Sequence, residues 1–130
     1  MALIGIDFGE KHIGLAYSSE NIFSEPVQSI AKSCAYDVIK TFCKTNTVDT
    51  IIVGLPTGRI AGKVKAFGNN LERMLGITVI FWDETLSSKK AAQKLIDIGA
   101  SRKNRKRKEH ASAAALILQS YIDETYEAKT

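Results

Sequence analysis

The sequence has few of the features that mark exported, membrane-spanning or metal-stapled proteins. Cysteine occurs only twice in 130 residues, as Cys34 and Cys43. Their spacing matches no disulfide framework or zinc motif. No apolar run is long enough to cross a bilayer. The N-terminus has no basic segment leading into an apolar stretch. We therefore expect a cytoplasmic protein with no membrane partner, in which both cysteines are reduced packing residues.

The length and composition favour one globular unit. A chain of 130 residues can bury a core without disulfides or metals. With 45% apolar and 25% charged residues, it has the balance of a folded protein rather than a disordered one. We expect a single domain over residues 1–130.

Positive charge is concentrated in one segment, SRKNRKRKEH. The net charge is +4, and six of the seven residues at 102–108 are Lys or Arg, so the rest of the chain carries 4 − 6 = −2. Such a segment attracts polyanions by releasing their condensed counterions, although a solvated loop that aids solubility has the same composition. The predicted nucleic-acid-binding residues here are Arg102, Lys103, Arg105, Lys106, Arg107 and Lys108.

The hydrophobic period changes along the chain between that of strands and that of helices. The predicted strands cover about 3–9, 12–18, 22–30, 50–56 and 78–82, and the predicted helices cover 35–44, 63–75, a segment from Ser87 or Ser88 to about Ile98, and 110–126. In the second helix, Val64, Phe67, Leu71 and Met74 form the predicted buried stripe. This order predicts an α/β fold in which an antiparallel three-stranded meander continues into two strands that return through helices.

Carboxylates occur at the ends of two predicted strands. Asp7 interrupts the apolar run IGIDFG, where an ionised side chain is costly unless a cation or several donors neutralise it. Asp83 and Glu84 follow the last strand, at the end where ligands gather in sheets with parallel strands. If the first and last strands run alike near the middle of the sheet, these groups share a pocket and need a hard cation such as Mg²⁺ or Mn²⁺. Turn capping by Asp7 and helix capping by Glu84 are the alternatives.

Two further segments could hold a substrate phosphate. GLPTGRIAGK (54–63) fails as a Walker motif because Thr57 and Val64 stand where Gly and Ser or Thr are required. Its backbone donors, with Arg59 and Lys63, could still bind phosphate ahead of a helix, and a turn without a ligand is equally consistent. Lys11 and His12 follow the first predicted turn and could approach a nucleic-acid backbone or be solvated.

Four segments together resemble the YqgF family, also called RuvX. They are IGIDFGEKHIGLA (4–16), IIVGLPTGRIAG (51–62), FWDETLSS (81–88) and EHASAAALILQSY (109–121), and they span nearly the whole chain in the family's order. Members of that family are described as Holliday junction resolvases and as nucleases that mature the 5′ end of pre-16S ribosomal RNA. The resemblance implies a ribonuclease H-like fold, with a five-stranded mixed sheet flanked by helices and metal-bound carboxylates at its centre.

By that resemblance, Asp7 and Glu84 are the first two metal ligands, with Asp83 as a substitute or neighbour. The family's third acidic position falls on His110, which is not a carboxylate. Glu109 could supply the missing charge, but in a helix it points about 100° away from His110. Imidazole suits manganese better than magnesium, so we expect a preference for Mn²⁺. His110 could instead donate a proton to the leaving oxygen, or be a solvated residue at a helix start.

The sequence therefore predicts a metal-dependent endonuclease that acts on structured nucleic acid. Processing of the 5′ end of pre-16S rRNA is favoured, with association with a ribosomal precursor. Resolution of branched DNA is an alternative, but it requires a symmetric dimer, and the sequence predicts a monomer or a weak homodimer. A nucleic-acid-binding protein without catalysis, with His110 marking a degraded site, is a further alternative.

Overall fold

The computed structural model describes residues 2–84 and 109–126. Its strands are β1 (Ala2–Phe8), β2 (His12–Ser18), β3 (Glu25–Ala31), β4 (Val48–Leu55) and β5 (Thr78–Asp83), and its helices are α1 (Ala35–Thr45), α2 (Ile60–Leu75) and α3 (Glu109–Tyr126). Each predicted strand is present, with ends shifted by no more than about three residues. The helix predicted near 88–98 and the basic residues at 102–108 lie outside the described residues.

The strands form one mixed sheet with the order β3-β2-β1-β4-β5. The pairs β1–β2 and β2–β3 are antiparallel, whereas β1–β4 and β4–β5 are parallel. The predicted meander followed by two parallel strands is therefore confirmed. The first and last strands run in the same direction, but only β1 is central: β5 lies at the edge of the described sheet, and β4 separates the two.

The two faces of β1 contact different helices, because successive side chains of a strand point to opposite sides. Ile4 and Ile6 belong to the core that also contains buried residues of α1 and α2. Leu3 belongs to a second core with Leu118 of α3. Burying each such aliphatic side chain stabilises the fold by roughly 1.5–3 kcal/mol. Asp7 shares the face of Leu3, so the topology directs it toward α3.

Helix α2 confirms most of its predicted apolar stripe. Val64, Phe67 and Leu71 are buried, and Gly76 ends the helix in a left-handed conformation (φ 67°), where its N–H donates to the carbonyl oxygen of Glu72. Met74, predicted in the same stripe, is 59% exposed. Leu75, four residues after Leu71, packs against the core instead. The prediction for Met74 is therefore wrong, because i+3 and i+4 positions compete for the core at the helix end.

Helix α3 packs closely on the face of the sheet opposite to α1 and α2. Ala111, Ala114 and Ala115 have no exposed surface, since their small side chains let the helix backbone approach the strands. In the part of the chain that the structure describes, α3 included, no helix combines the length and apolar character needed to span a membrane.

Candidate active site

Asp7 and Glu84 meet on the α3 side of the sheet. Asp7 lies near the carboxyl end of β1, and Glu84 directly follows β5. Both strands run parallel to β4, so their carboxyl ends lie at the same edge. The two carboxylates line a cleft of about 200 Å³ together with Ala113, Leu116 and Ile117 of α3. Tertiary structure thus brings together the two carboxylates that the sequence analysis singled out.

The environment of Glu84 opposes its negative charge. Burial raises the pKa of the Glu84 carboxyl above its ordinary value, and the charge of Asp7, a hydrogen bond with Asp7 and the charge of Asp83 raise it further. Two carboxyl groups in this relation share a proton or are compensated by a cation. The site therefore has the electrostatic character of a cation-binding cleft.

Gly54 of β4 creates the space through which Glu84 reaches Asp7. A Cβ atom at position 54 would lie 3.1 Å from both Cγ and Oε1 of Glu84 and would overlap Cδ1 of Ile117. The Glu84 side chain therefore lies over the bare backbone of the intervening strand. The sequence placed Gly54 near the end of the predicted strand 50–56 and at the start of the segment 54–63, without this role. Its position inside an apolar strand is the signal that indicates a close approach.

His110 contacts Asp7 from the start of α3. Its Nδ1 atom lies 3.2 Å from Oδ2 of Asp7, and 41% of its side-chain surface is exposed. This distance suits a hydrogen bond, in which Nδ1–H donates to Oδ2. It would also allow the two atoms to hold one cation together.

Gly14 positions the first turn of α3. It pairs with Asp7 in the β1–β2 register, and a Cβ atom there would overlap the carbonyl carbon and oxygen of His110. The helix backbone thus rests directly on β2, beside the strand position that carries Asp7. Sequence analysis did not identify this role, because a glycine in a strand does not indicate which helix approaches it.

The possible metal ligands around Asp7 do not form a complete metal site by themselves. Within residues 2–84 and 109–126, no three His, Cys, Asp or Glu side chains are grouped closely enough to form a ready metal site. Asp7 nevertheless contacts both of the other donors, Glu84 and His110. Two carboxylates and an imidazole are a donor combination that fits manganese and also accepts magnesium.

The remaining acidic candidates are less central. Asp83 is exposed, and the alternation of β5 places it on the side opposite to Glu84, although its charge still raises the pKa of Glu84. Glu109 is the first residue of α3, and its side chain lies outside the described residues. The geometry therefore favours Glu84 over Asp83 as a ligand.

The predicted phosphate-contacting residues lie around the turn between β1 and β2 and the start of α2. Lys11 and His12 are exposed, and Arg59 is the residue before α2. Lys63 forms an exposed ion pair with Glu10, at 3.4 Å between Nζ and Oε1. The His12 ring lies beside that of His110, with 6.2 Å between centroids and 21° between planes.

A family model decides the relationship of this chain to known proteins. The RuvX model, described as "Holliday junction resolvase", matches residues 1–124. The chain belongs to the RuvX family. The resemblance carried by the four sequence segments is thereby confirmed.

Curated relatives of this RuvX-family chain share its full length. A protein of Listeria innocua named "Putative pre-16S rRNA nuclease" is 33% identical, with 96% of this chain and 99% of the relative aligned. Proteins of the same name from Syntrophus aciditrophicus and Caldanaerobacter subterraneus are 39% and 37% identical over 95% of this chain, and the alignments cover 89% and 96% of those relatives.

Solved structures support the fold expected of the RuvX family. RuvC of T. thermophilus, in complex with a Holliday junction substrate, superposes with a TM-score of 0.75 over 100% of this chain and 98% of RuvC, at 13% identity. A second T. thermophilus RuvC structure gives a TM-score of 0.57. The prediction of a ribonuclease H-like fold is confirmed.

Proposed function

We propose that this RuvX-family chain is a metal-dependent endonuclease that hydrolyses phosphodiester bonds in structured nucleic acid. The convergence of Glu84 and His110 on Asp7, from two different sides, carries this proposal. These three residues come from β1, the end of β5 and the start of α3, so only the folded chain assembles them. The names of the relatives agree with a nuclease.

Asp7, Glu84 and His110 would hold Mg²⁺ or Mn²⁺, which when bound supplies Lewis-acid stabilisation of the phosphoryl group and a nucleophilic water. Asp7 contacts both other donors, so it would be the central ligand of a bound cation. Such a cation would offset the negative charges of Asp7 and Glu84, which raise the pKa of Glu84 when no cation is present. His110 would either donate a hydrogen bond from Nδ1–H to Asp7 or bind the ion through a ring nitrogen that carries no proton. Glu109 stays a candidate for the missing third carboxylate.

We further propose that this site prefers Mn²⁺ to Mg²⁺. An imidazole at the third position replaces one hard oxygen donor with a nitrogen donor, which magnesium accepts poorly. The contact of His110 Nδ1 with Asp7 supports a ligand role for this imidazole.

The favoured substrate is the 5′ region of pre-16S rRNA. Curated relatives that align with this chain over nearly their whole length are named for pre-16S rRNA. Their sequence similarity is stronger support than the likeness in fold to RuvC, which is only 13% identical. The basic segment 102–108 directly precedes α3 in the chain, so phosphate-attracting charge is covalently linked to the helix that carries His110. The same proposal implies a cytoplasmic protein that associates with a ribosomal precursor, as a monomer or a weak homodimer.

Cleavage of both candidate substrates tests the function. Purified protein with Mn²⁺ should cleave an RNA containing the 5′ precursor of 16S rRNA and leave a four-way DNA junction uncut. Asp7→Asn should lower the cleavage rate by about 10³-fold, because several kcal/mol of transition-state stabilisation are lost.

Asp37→Asn is the matched control, since Asp37 is exposed on α1, on the other face of the sheet. It should cleave as fast as the unaltered protein. Salt-dependent binding of the RNA without metal-dependent cleavage would contradict the proposal and favour a non-catalytic binding protein. Symmetric cutting of the junction alone would favour resolution.

A further inference from the structure

The rings of His12 and His110 form a nearly parallel pair, and His110 also contacts Asp7 of the cleft. Their planes are within 21° of parallel, and their centroids are 6.2 Å apart. His12 is the first residue of β2, and His110 is the second residue of α3, so two separate elements present the two ring faces. The pairing was not predicted, because nothing in the local sequence relates position 12 to position 110.

The distance between the ring centroids is close to what an inserted planar group needs. Stacked bases are separated by about 3.4 Å, so a flat group between two rings requires about 6.8 Å between them. The 6.2 Å between the centroids is at the long end of the range for aromatic pairs and slightly short of that requirement. A small outward shift of one ring therefore opens a slot for one planar group.

The two rings differ in how firmly they are held. His110 contacts Asp7 through Nδ1, and its backbone rests on Gly14. The His12 side chain is exposed, and within the described part of the chain its ring makes no hydrogen bond or ion pair. Exposed side chains change rotamer in picoseconds to nanoseconds, so His12 can move at little cost while His110 stays in place.

We propose that His12 and His110 form a slot that binds one unpaired nucleobase of the substrate. Parallel ring faces contact a planar group on both sides, whereas a phosphate would need N–H edges that converge on it. Histidine is among the side chains on which unstacked bases lie in single-stranded nucleic acid recognition. His110 also touches Asp7, so a base in the slot belongs to a nucleotide next to the bond that is cut. This inference rests on the proposed function, since it assumes a nucleic-acid substrate.

Fluorescence of 2-aminopurine tests the slot. The base analogue is placed at successive positions of a single-stranded RNA, and binding is measured with Ca²⁺ in place of the catalytic ion. The unaltered protein should quench the fluorescence at one position. His12→Ala should abolish that quenching and weaken binding about fivefold or more, a typical effect of losing one base–aromatic stack. His12→Phe should keep both, because the aromatic face is retained.

His12→Lys separates stacking on a planar ring from contact with a phosphate, because lysine carries a charge but has no planar face. This variant should lose the position-specific quenching. An abasic site at the quenched position should weaken binding by the unaltered protein but not by His12→Ala. If His12→Lys binds normally while His12→Phe does not, His12 contacts phosphate and the slot is refuted. If His12→Ala binds and quenches like the unaltered protein, the slot is also refuted. A protein that binds no RNA at all would instead contradict the proposed function.

Discussion

Asp7 contacts both of the other proposed metal ligands, Glu84 and His110. It shares a hydrogen bond with Glu84 and lies 3.2 Å from Nδ1 of His110. Its side chain is only 17% exposed, so water screens these interactions weakly. The charge on each of these residues therefore affects the others, and predictions at this scale concern protonation and metal choice.

Glu84→Gln should make the metal-free protein more stable at neutral and alkaline pH. Because the folded-state pKa of Glu84 is raised, the folded chain binds more protons than the unfolded chain between the ordinary pKa and the raised one. The free energy of unfolding therefore falls as pH rises through that interval, and Gln removes this loss. We expect the melting temperature of the variant to exceed that of the unaltered protein near pH 8 and to match it near pH 4.

Thermal denaturation in buffer with a chelator measures this difference. Glu124→Gln, at an exposed position of α3, is the control and should show no pH-dependent gain. A gain for Glu84→Gln that is equal at both pH values would contradict the electrostatic explanation.

His110→Asp should shift the metal preference toward Mg²⁺. The substitution restores an oxygen donor beside Asp7, so the ratio of the apparent affinities for Mn²⁺ and Mg²⁺ should fall several-fold relative to the unaltered protein. Titration calorimetry of both proteins with both ions gives the ratios without relying on cleavage. An unchanged ratio would contradict a ligand role for His110, and equal cleavage rates of the unaltered protein in the two saturating ions would count against the preference for Mn²⁺.

At the scale of elements, α3 is held on the sheet at two places. Near its start, the bare backbone at Gly14 permits direct contact. Farther along, buried Gln119 accepts a hydrogen bond from the backbone N–H of Ser24 (2.9 Å) and donates to the carbonyl of Ile22 (2.8 Å). Trp82 donates through Nε1 to Oγ of Ser120 at 3.1 Å. These contacts fix the position of the helix along the sheet, and hence that of His110 relative to Asp7.

Gly14→Ala should disturb both stability and catalysis. The added methyl group meets helix backbone rather than a flexible side chain, so the start of α3 must move. We expect the free energy of unfolding to fall by about 1–3 kcal/mol, the usual cost of overpacking. Cleavage should fall more than binding, because His110 is displaced from Asp7. Urea denaturation and rate measurements test the two effects.

Gly62→Ala is the matched control for Gly14→Ala. Gly62 is exposed in α2, and a Cβ atom there meets open space. Alanine in a helix should leave the free energy of unfolding unchanged or raise it by up to about 1 kcal/mol. Equal effects of the two substitutions would show that Gly14 does not position the helix.

At the scale of the whole molecule, the excess of positive charge is concentrated in one segment of the chain. The segment 102–108 contributes six positive charges, and the rest of the chain carries 4 − 6 = −2, with Asp7 and Glu84 in the cleft. A polyanion is attracted by the basic segment 102–108. It is repelled by the carboxylates of the cleft unless cations occupy the cleft. Binding and catalysis should therefore respond differently to changes in the basic segment.

Replacing all six Lys and Arg residues at 102–108 by Ser should weaken RNA binding and flatten its salt dependence. If each contacts one phosphate, the slope of log K against log salt should become less steep by about 4 to 5 units. Fluorescence anisotropy at several salt concentrations gives the slope, and the melting temperature reports on folding. An unchanged slope would show that this segment is a solvated loop.

The local hydrophobic pattern of the sequence predicted much of the secondary structure. The change between alternating and helical hydrophobic periods located the described strands and helices, because each element must bury one face or stripe. The same pattern could not show that β5 lies at the sheet edge or that Leu75 rather than Met74 enters the core. Those outcomes depend on which surfaces are already covered by other elements.

The sequence by itself determined the fold class and the family, and it singled out Asp7 and Glu84 as candidates, because these follow from residue types in local order. Tertiary structure alone decided that Glu84 crosses β4 over Gly54, that α3 rests on Gly14, and that His12 faces His110. Each of these depends on the distance between elements far apart in the chain. Such distances are set by packing of the whole sheet and its helices, which no local pattern contains.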